Sequence, residues 1–550
     1  MLFENELIHY KEYVHIFTLD ALSDINVFFE KISSKSYGFE DVLNKSVKKR
    51  LSELFYTFEF PLTIICEPYY VDRVYRDEFY RYYSKKHFKI SRNTKRLIFI
   101  EGKFTKEELL NDNSSDYVKV EKGLIGMVVL KPTQTLGRML INPHKIKIPK
   151  CYLRTTEFEI SVFGKLYTLK AFPFSGQDSE VMTCAEVNIW QIMEYFGRRY
   201  GDYNTLLPSK LFDFLNATSD VRVLPSDGLT VEQESFVFMR SGLSPKIYYR
   251  RSDYEDGDHY IIKELYSEPS FNEILNLYIE SGVPILVNLR EKGKIDGENH
   301  SVTFIGHGYV DFDIDSIKET SCKTLNFSEK YIDIDTKKEY NNIDVFKSWE
   351  RYNKYVVMED HSTPYQIMSL DALKFNKDGI EWELDSFVAP LYKHIFMLAE
   401  DAYEAVIQLI KNGYEEIIDT IGSNEIIIRL YLTTSRAYKR FRVTTASALI
   451  EKEFFANAIY PKFLWVCEYS TLDSYCRHKA IGEFVLDATS SKHNTMESVI
   501  SIRHGSSITH RKPDDPFKNA VVRLDIRIDD EFSMYEQNNL EFVNYEGRQM

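Results

Sequence analysis

The sequence predicts an α+β fold. In its central unit one amphipathic helix packs against an antiparallel sheet, and an α/β accessory domain lies on either side. Three observations carry this. Ala185, Ile189, Ile192, Met193 and Phe196 recur at helical spacing directly after Cys184, with Gly197 as the stop. Two short apolar runs, Ile285-Leu286-Val287 and Val302-Thr303-Phe304-Ile305, read as neighbouring strands, the first set off by Gly282 and Pro284 and the second opened by His300. At 550 residues the chain is long for one domain. Two or three are expected, here divided at 1–170, 171–385 and 386–550.

The N-terminal segment reads as a helical start, then a strand at Leu62-Thr63-Ile64-Ile65 and a basic helix. Strands at Leu97-Ile98-Phe99-Ile100 and Ile125-Gly126-Met127-Val128-Val129-Leu130 follow, and Asp112-Asn113-Ser114-Ser115-Asp116 reads as a loop. From Arg73 to Arg96 cations alternate with aromatics, among them Tyr75, Phe79, Tyr80, Tyr83, Lys86 and Phe88. Stacking and phosphate attraction can use such a surface. An amphipathic helix with its rings in the core and its cations in water fits the pattern better. Gly126, with Lys131-Pro132-Thr133 and Gly137-Arg138, is faintly similar to an acetyltransferase fold, but no glycine loop suited to a pyrophosphate follows.

The middle segment carries the chemistry. Cys184 opens its helix, where unpaired backbone N–H groups and the positive end of the macrodipole favour a negative charge and hence a thiolate. His300, at a strand end, is the candidate imidazole: a nearby imidazolium holds the sulfur ionised and can later protonate a leaving amine. His307 is seven positions on, an odd interval, and so points to the opposite face. Asp360 ends the strand-like run Tyr355-Val356-Val357-Met358-Glu359 and is the first choice to orient the imidazole. Glu359, expected on the other face, is the second. Gln177 is expected to give a side-chain N–H to an oxyanion beside the backbone N–H of Cys184.

Gln177, Cys184, His300 and Asp360, in this order, resemble the papain-like cysteine peptidase superfamily, and in particular its bacteriocin-processing, Peptidase C39-like branch. The resemblance spans roughly residues 172–368. It extends to Gly228-Leu229-Thr230-Val231-Glu232-Gln233, to Gly242-Leu243-Ser244-Pro245 and to Ser281-Gly282-Val283-Pro284. It implies a papain-like core, cleavage of a peptide or isopeptide bond through an acyl-enzyme on Cys184, and no cofactor or metal. Its alternatives are an amidase or acyltransferase with the same residues, or a dormant recognition module that binds a protein or nucleic acid. The chain departs from the pattern in two places. Gln177 lies seven residues before Cys184, and the polar stretch between Tyr309 and Tyr355 is long enough to contain an insertion.

In the C-terminal segment a helix through Ala399, Ala402, Ala405, Val406 and Leu409 precedes strands near 426–432, 463–466 and 482–489. Asp487 and His504 are read as a strand-end aspartate and a loop histidine, and the last forty residues as acidic and loosely packed. The six cysteines show no paired spacing and no Cys-x-x-Cys pattern, which points to a reducing compartment. Cys66, Cys151, Cys322, Cys467 and Cys476 are expected to be small buried hydrophobes or surface thiols. A net charge of −14 argues against extended nucleic-acid binding. The acidic start Met1-Leu2-Phe3-Glu4 and the lack of a long apolar run lead to the expectation of a cytoplasmic protein without a membrane span. Its expected partners are a protein or peptide substrate and a regulatory partner bound through the accessory domains.

Overall fold

The computed structural model describes residues 14–33, 43–111, 113–178, 180–217, 223–251, 265–294, 297–332, 337–373, 380–490, 497–511, 519–522 and 530–545. It is a mixed α+β protein organised by three large sheets. The N-terminal sheet is antiparallel and runs through strands His15–Leu19, Leu62–Tyr70, Thr94–Glu101, Leu124–Lys131, Thr135–Ile141 and Phe174–Ser175. In the central sheet the strand Asn299–Gly308 lies between Ile285–Glu291 and Tyr355–Met358, antiparallel to both. The C-terminal sheet begins with the hairpin Cys322–Ile332 and Glu339–Lys347, whose second strand runs parallel to Glu425–Thr434. The polar stretch after Tyr309 therefore supplies the edge of the C-terminal sheet.

Alternation along the central strands decides what each face meets. Leu286, Ile305 and Val356 face the helix Cys184–Arg199 and share one core with Ile189, Trp190 and Ile192. That core continues into Phe28, Leu51 and Phe99 of the N-terminal part. Ile285, Val287, Phe304 and Val357 face the other way and pack with the helix Glu268–Glu280, with Ala402 and Val406, and with Ile428, Leu430 and Trp465 of the C-terminal sheet. Each such buried aliphatic side chain contributes about 1.5–3 kcal/mol relative to exposure. The two faces of one sheet thus bind the flanking segments to the centre.

The strand Asn299–Gly308 has a register shift between Phe304 and Gly306. Its last three residues also pair with Cys151–Leu153, and a Cβ at Gly306 would collide with the Tyr152 carbonyl. Only glycine allows that approach.

Four local expectations change. The first described element is the strand His15–Leu19, because it pairs along Leu62–Cys66; a helix follows at Ile25–Ile32, and residues 1–13 lie outside the described residues. Ser114–Asp116 begins a helix, since the Asn113 side chain caps it by accepting from the Ser115 N–H; Asp112 lies outside the described residues. Gly197 does not stop its helix, which runs to Arg199. A side chain at Gly197 would collide with Thr205, so the glycine serves a close approach. The described residues 530–545 are not loosely packed. Asn538 and Val543 are buried, Glu541–Val543 pairs with Cys151–Leu153, and Arg429 donates to the carbonyls of Tyr535 and Glu536. Among the described residues no helix is long and apolar enough to cross a membrane.

Candidate active site

Cys184 is the first residue of its helix, after an extended Thr183 at the N-cap, and is half-buried. As the opening residue it has no intrahelical acceptor for its N–H. One turn on, Asn188 fixes the helix to the histidine strand. Its Nδ2 donates to the carbonyls of Cys184 and of Ser301, both at 2.7 Å, and its Oδ1 accepts from the Thr303 hydroxyl at 2.7 Å. Thr303 and Ser301 are both odd-numbered and lie on one face of the sheet, so a single asparagine reads the register of the strand that carries His300.

His300 is 6% exposed. Its Nε2 lies 3.1 Å from Oε1 of Glu359 and 3.8 Å from Oδ1 of Asp360, and it lines the same cleft as Cys184. Burial alone would push the imidazole down. The bonds to Cys184 and Glu359 and the charges of Asp360 and Cys184 outweigh it and raise His300 to about 10. Burial pushes Glu359 up, but the hydrogen bonds from His300 and His361 hold it well below the usual carboxylate range.

The nearer carboxylate is therefore Glu359, the second choice of the sequence reading. The strand ends at Met358, so strict alternation no longer applies to the two residues after it. Both carboxylates turn to the histidines. His361 joins them, with Nδ1 at 3.0 Å from Glu359 and 3.1 Å from Asp360. Burial would lower it, but the Asp360 and Glu359 contacts raise it to about 9. His307 is held elsewhere: its Nδ1 donates to the Gly308 carbonyl at 2.9 Å and its ring stacks on Tyr352.

Gln177 lines the same cleft as Cys184 and His300, a cavity of about 810 Å³. Its side-chain amide meets Nε2 of His361 at 2.5 Å. The contacting Gln177 atom is Nε2, an amide nitrogen with two N–H groups, so one of them remains for the cleft.

The N-terminal segment fixes the approach to the site. Asp178 Oδ1 accepts the backbone N–H groups of Glu180, Val181 and Met182 at 2.9–3.1 Å, shaping the turn between Gln177 and Cys184. Its other oxygen lies 3.6 Å from the buried Lys131, which also pairs with Glu78 at 2.7 Å. Arg50 donates to the carbonyls of Asp360 at 2.7 Å and Ser362 at 3.2 Å, and so holds the carboxylate turn from outside.

No family model and no curated protein matches the chain. The structure brings Gln177, Cys184, His300 and Asp360 to one place and adds Glu359, His361, Asn188 and Arg50. His361 follows the two acids directly in the sequence, so an adjacent Glu-Asp-His run was the available signal. Arg50 left none.

The remaining cysteines divide as expected. Cys66, Cys151 and Cys467 are buried, with burial pushing Cys151 up to about 12; Cys322 is exposed and Cys476 lies between. In the basic stretch Tyr75 and Tyr83 are in the core. Arg73, Tyr80, Lys85, Phe88, Lys89 and Arg92 face outward.

Proposed function

We propose that the protein is a papain-like thiol hydrolase that cleaves a peptide or isopeptide bond through an acyl-enzyme on Cys184. The observation that carries this reading is a cysteine at a helix start that shares one cleft with a buried histidine backed by Glu359. His300 holds its proton to about pH 10, so at neutral pH an imidazolium stands in the cleft with Cys184, the partner that attack by sulfur and protonation of a leaving nitrogen require. The sulfur attacks the substrate carbonyl carbon. The backbone N–H of Cys184 and the Gln177 amide meet the oxyanion, and His300 gives its proton to the departing nitrogen as the C–N bond breaks. Water then attacks the thioester, giving a proton to His300, and the C–S bond breaks to release the acid and restore the pair. An amine acceptor in place of water would make the same site an acyltransferase.

Glu359 orients His300, and Asp360 adds a second negative charge. The test is iodoacetamide labelling between pH 5 and 9, read by intact mass, with the exposed Cys322 as internal standard. Labelling of Cys184 that outpaces Cys322 at pH 6, and that slows in His300→Ala, supports the reading and justifies a peptide-library search for the substrate. Equal rates at the two thiols would overturn it.

A further inference from the structure

We propose that His300, Glu359, Asp360 and His361 form a site for a divalent transition-metal ion of the zinc class, sharing His300 with the thiol pair. One ligand atom from each residue lies within 4.8 Å of the other three. Nε2 of His300 is 3.1 Å from Glu359 Oε1 and 3.8 Å from Asp360 Oδ1, and Nδ1 of His361 is 3.0 and 3.1 Å from the same two oxygens. A tetrahedral ion with bonds of about 2.0–2.1 Å sets its ligands roughly 3.3 Å apart. Two imidazoles and two carboxylates form a donor set that suits zinc or cobalt.

Hydrogen bonding alone does not account for the cluster. Oε1 of Glu359 takes the bonds from His300, from the His361 ring and from the His361 backbone N–H. Oε2 of Glu359 and both oxygens of Asp360 receive none, although both residues are fully buried. Buried carboxylates that lack donors call for a cation, a role the two imidazoles fill when protonated and a metal ion fills in their place. Arg50 gives its bonds to the carbonyls of Asp360 and Ser362, and not to the carboxylates. An ion that binds here displaces the ring protons of the two imidazoles, after which the two carboxylates and this guanidinium sum to −1 and balance part of a dication's charge. His361, 32% exposed, provides the side from which an ion enters.

A metal on Nε2 replaces the hydrogen bond between His300 and Glu359. Occupancy and turnover then exclude each other. That consequence rests on the thiol-hydrolase reading, whereas the binding itself does not.

The test is titration of full-length Cys184→Ala with Co²⁺, followed by Zn²⁺. The expected result is one Co²⁺ per chain with visible ligand-field bands, displaced by Zn²⁺. His361→Ala and the isosteric Asp360→Asn in the same background should each weaken binding by about 10-fold or more, with circular dichroism confirming the fold. In the otherwise native chain, stoichiometric Zn²⁺ should suppress Cys184 labelling and a chelator restore it. Absence of stoichiometric Co²⁺ binding, or binding unmoved by both variants, would overturn the site. So would binding that requires Cys184 and shows a sulfur charge-transfer band, which would assign the ion to the thiol pair. Co²⁺ binding in Cys184→Ala beside an inert thiol in the native chain would uphold the metal site and remove only the hydrolase.

Discussion

His300 and His307 stand near the two ends of one strand, both buried and each beside a glutamate, yet the fold drives them to opposite charge states. At His307 burial is the largest influence and it prevails, holding the ring below the usual range. Its glutamate, Glu280, lies 3.6 Å away and is already bound by Arg429 at 2.5 Å and by the Tyr352 hydroxyl. At His300 burial pushes the same way. Cys184, Glu359 and Asp360 reverse it, and Arg50 beside them bonds backbone carbonyls. A buried histidine beside a glutamate thus becomes a proton store only when no arginine has neutralised that glutamate.

The largest effect that tests this contrast is on thiol reactivity. Relative to the native chain, Cys184→Ala should abolish hydrolysis. His300→Ala should lower Cys184 labelling at neutral pH by roughly 10-fold. His307→Gln should leave labelling within about twofold, as expected for a distant, independent site. Comparable losses in the two histidine variants would end the distinction between the strand ends.

Next in size is the choice between the carboxylates. Glu359→Gln keeps an acceptor near His300 but removes the charge, so the alkaline limit of the His300 proton should fall by about 1–3 pH units. Asp360→Asn, at 3.8 Å, should move it less. Labelling rates across pH 5 to 11 decide the order. The reverse order would return the orienting role to Asp360.

A smaller effect appears in stability. His300 is raised above its unfolded value of 6.5, so its contribution is complete below that pH and is lost as pH rises toward 10. His307 is lowered, so its contribution is complete above about pH 6.5 and is lost as pH falls through the folded value. In urea midpoints measured from pH 4 to 10, His300→Gln should flatten the alkaline fall and His307→Gln the acid one. A change on the same side for both would contradict the assigned charge states.

These contrasts also explain what the sequence reveals. The Cys184 helix and the His300 strand are legible because each writes its period in one short local stretch. The preference for Asp360 over Glu359 rested on alternation continuing past Met358, and the strand ends there. Arg50 lies 310 positions from Asp360 and contacts only its carbonyl. Lys131 reaches Asp178 from the end of the strand Leu124–Lys131, far upstream in the chain. Such partners come from tertiary folding, and no local pattern announces them. The register-reading Asn188 is intermediate: its spacing of four from Cys184 was visible, while its acceptors on the His300 strand were not.

The smallest expected effect concerns a second glutamate below the cleft, which contrasts with Glu359. Glu234 is fully buried and accepts from Asn288 at 2.7 Å and from Ser301, the neighbour of His300, at 3.4 Å. Burial pushes it up to about 8, and these neutral donors offset only part of the rise. Glu359, equally buried, goes the other way because its donors are two histidines that carry charge. Because Glu234 is raised, its protonated form contributes fully below an unfolded value of 4.5, and the contribution is lost as pH climbs through about 8. Glutamine mimics that protonated form at every pH. Urea midpoints should therefore favour Glu234→Gln over the native chain by a margin that grows from pH 5 to pH 9. Parallel curves would mean that Glu234 is ionised in the fold, and that neutral donors alone suffice to hold a buried charge beside this site.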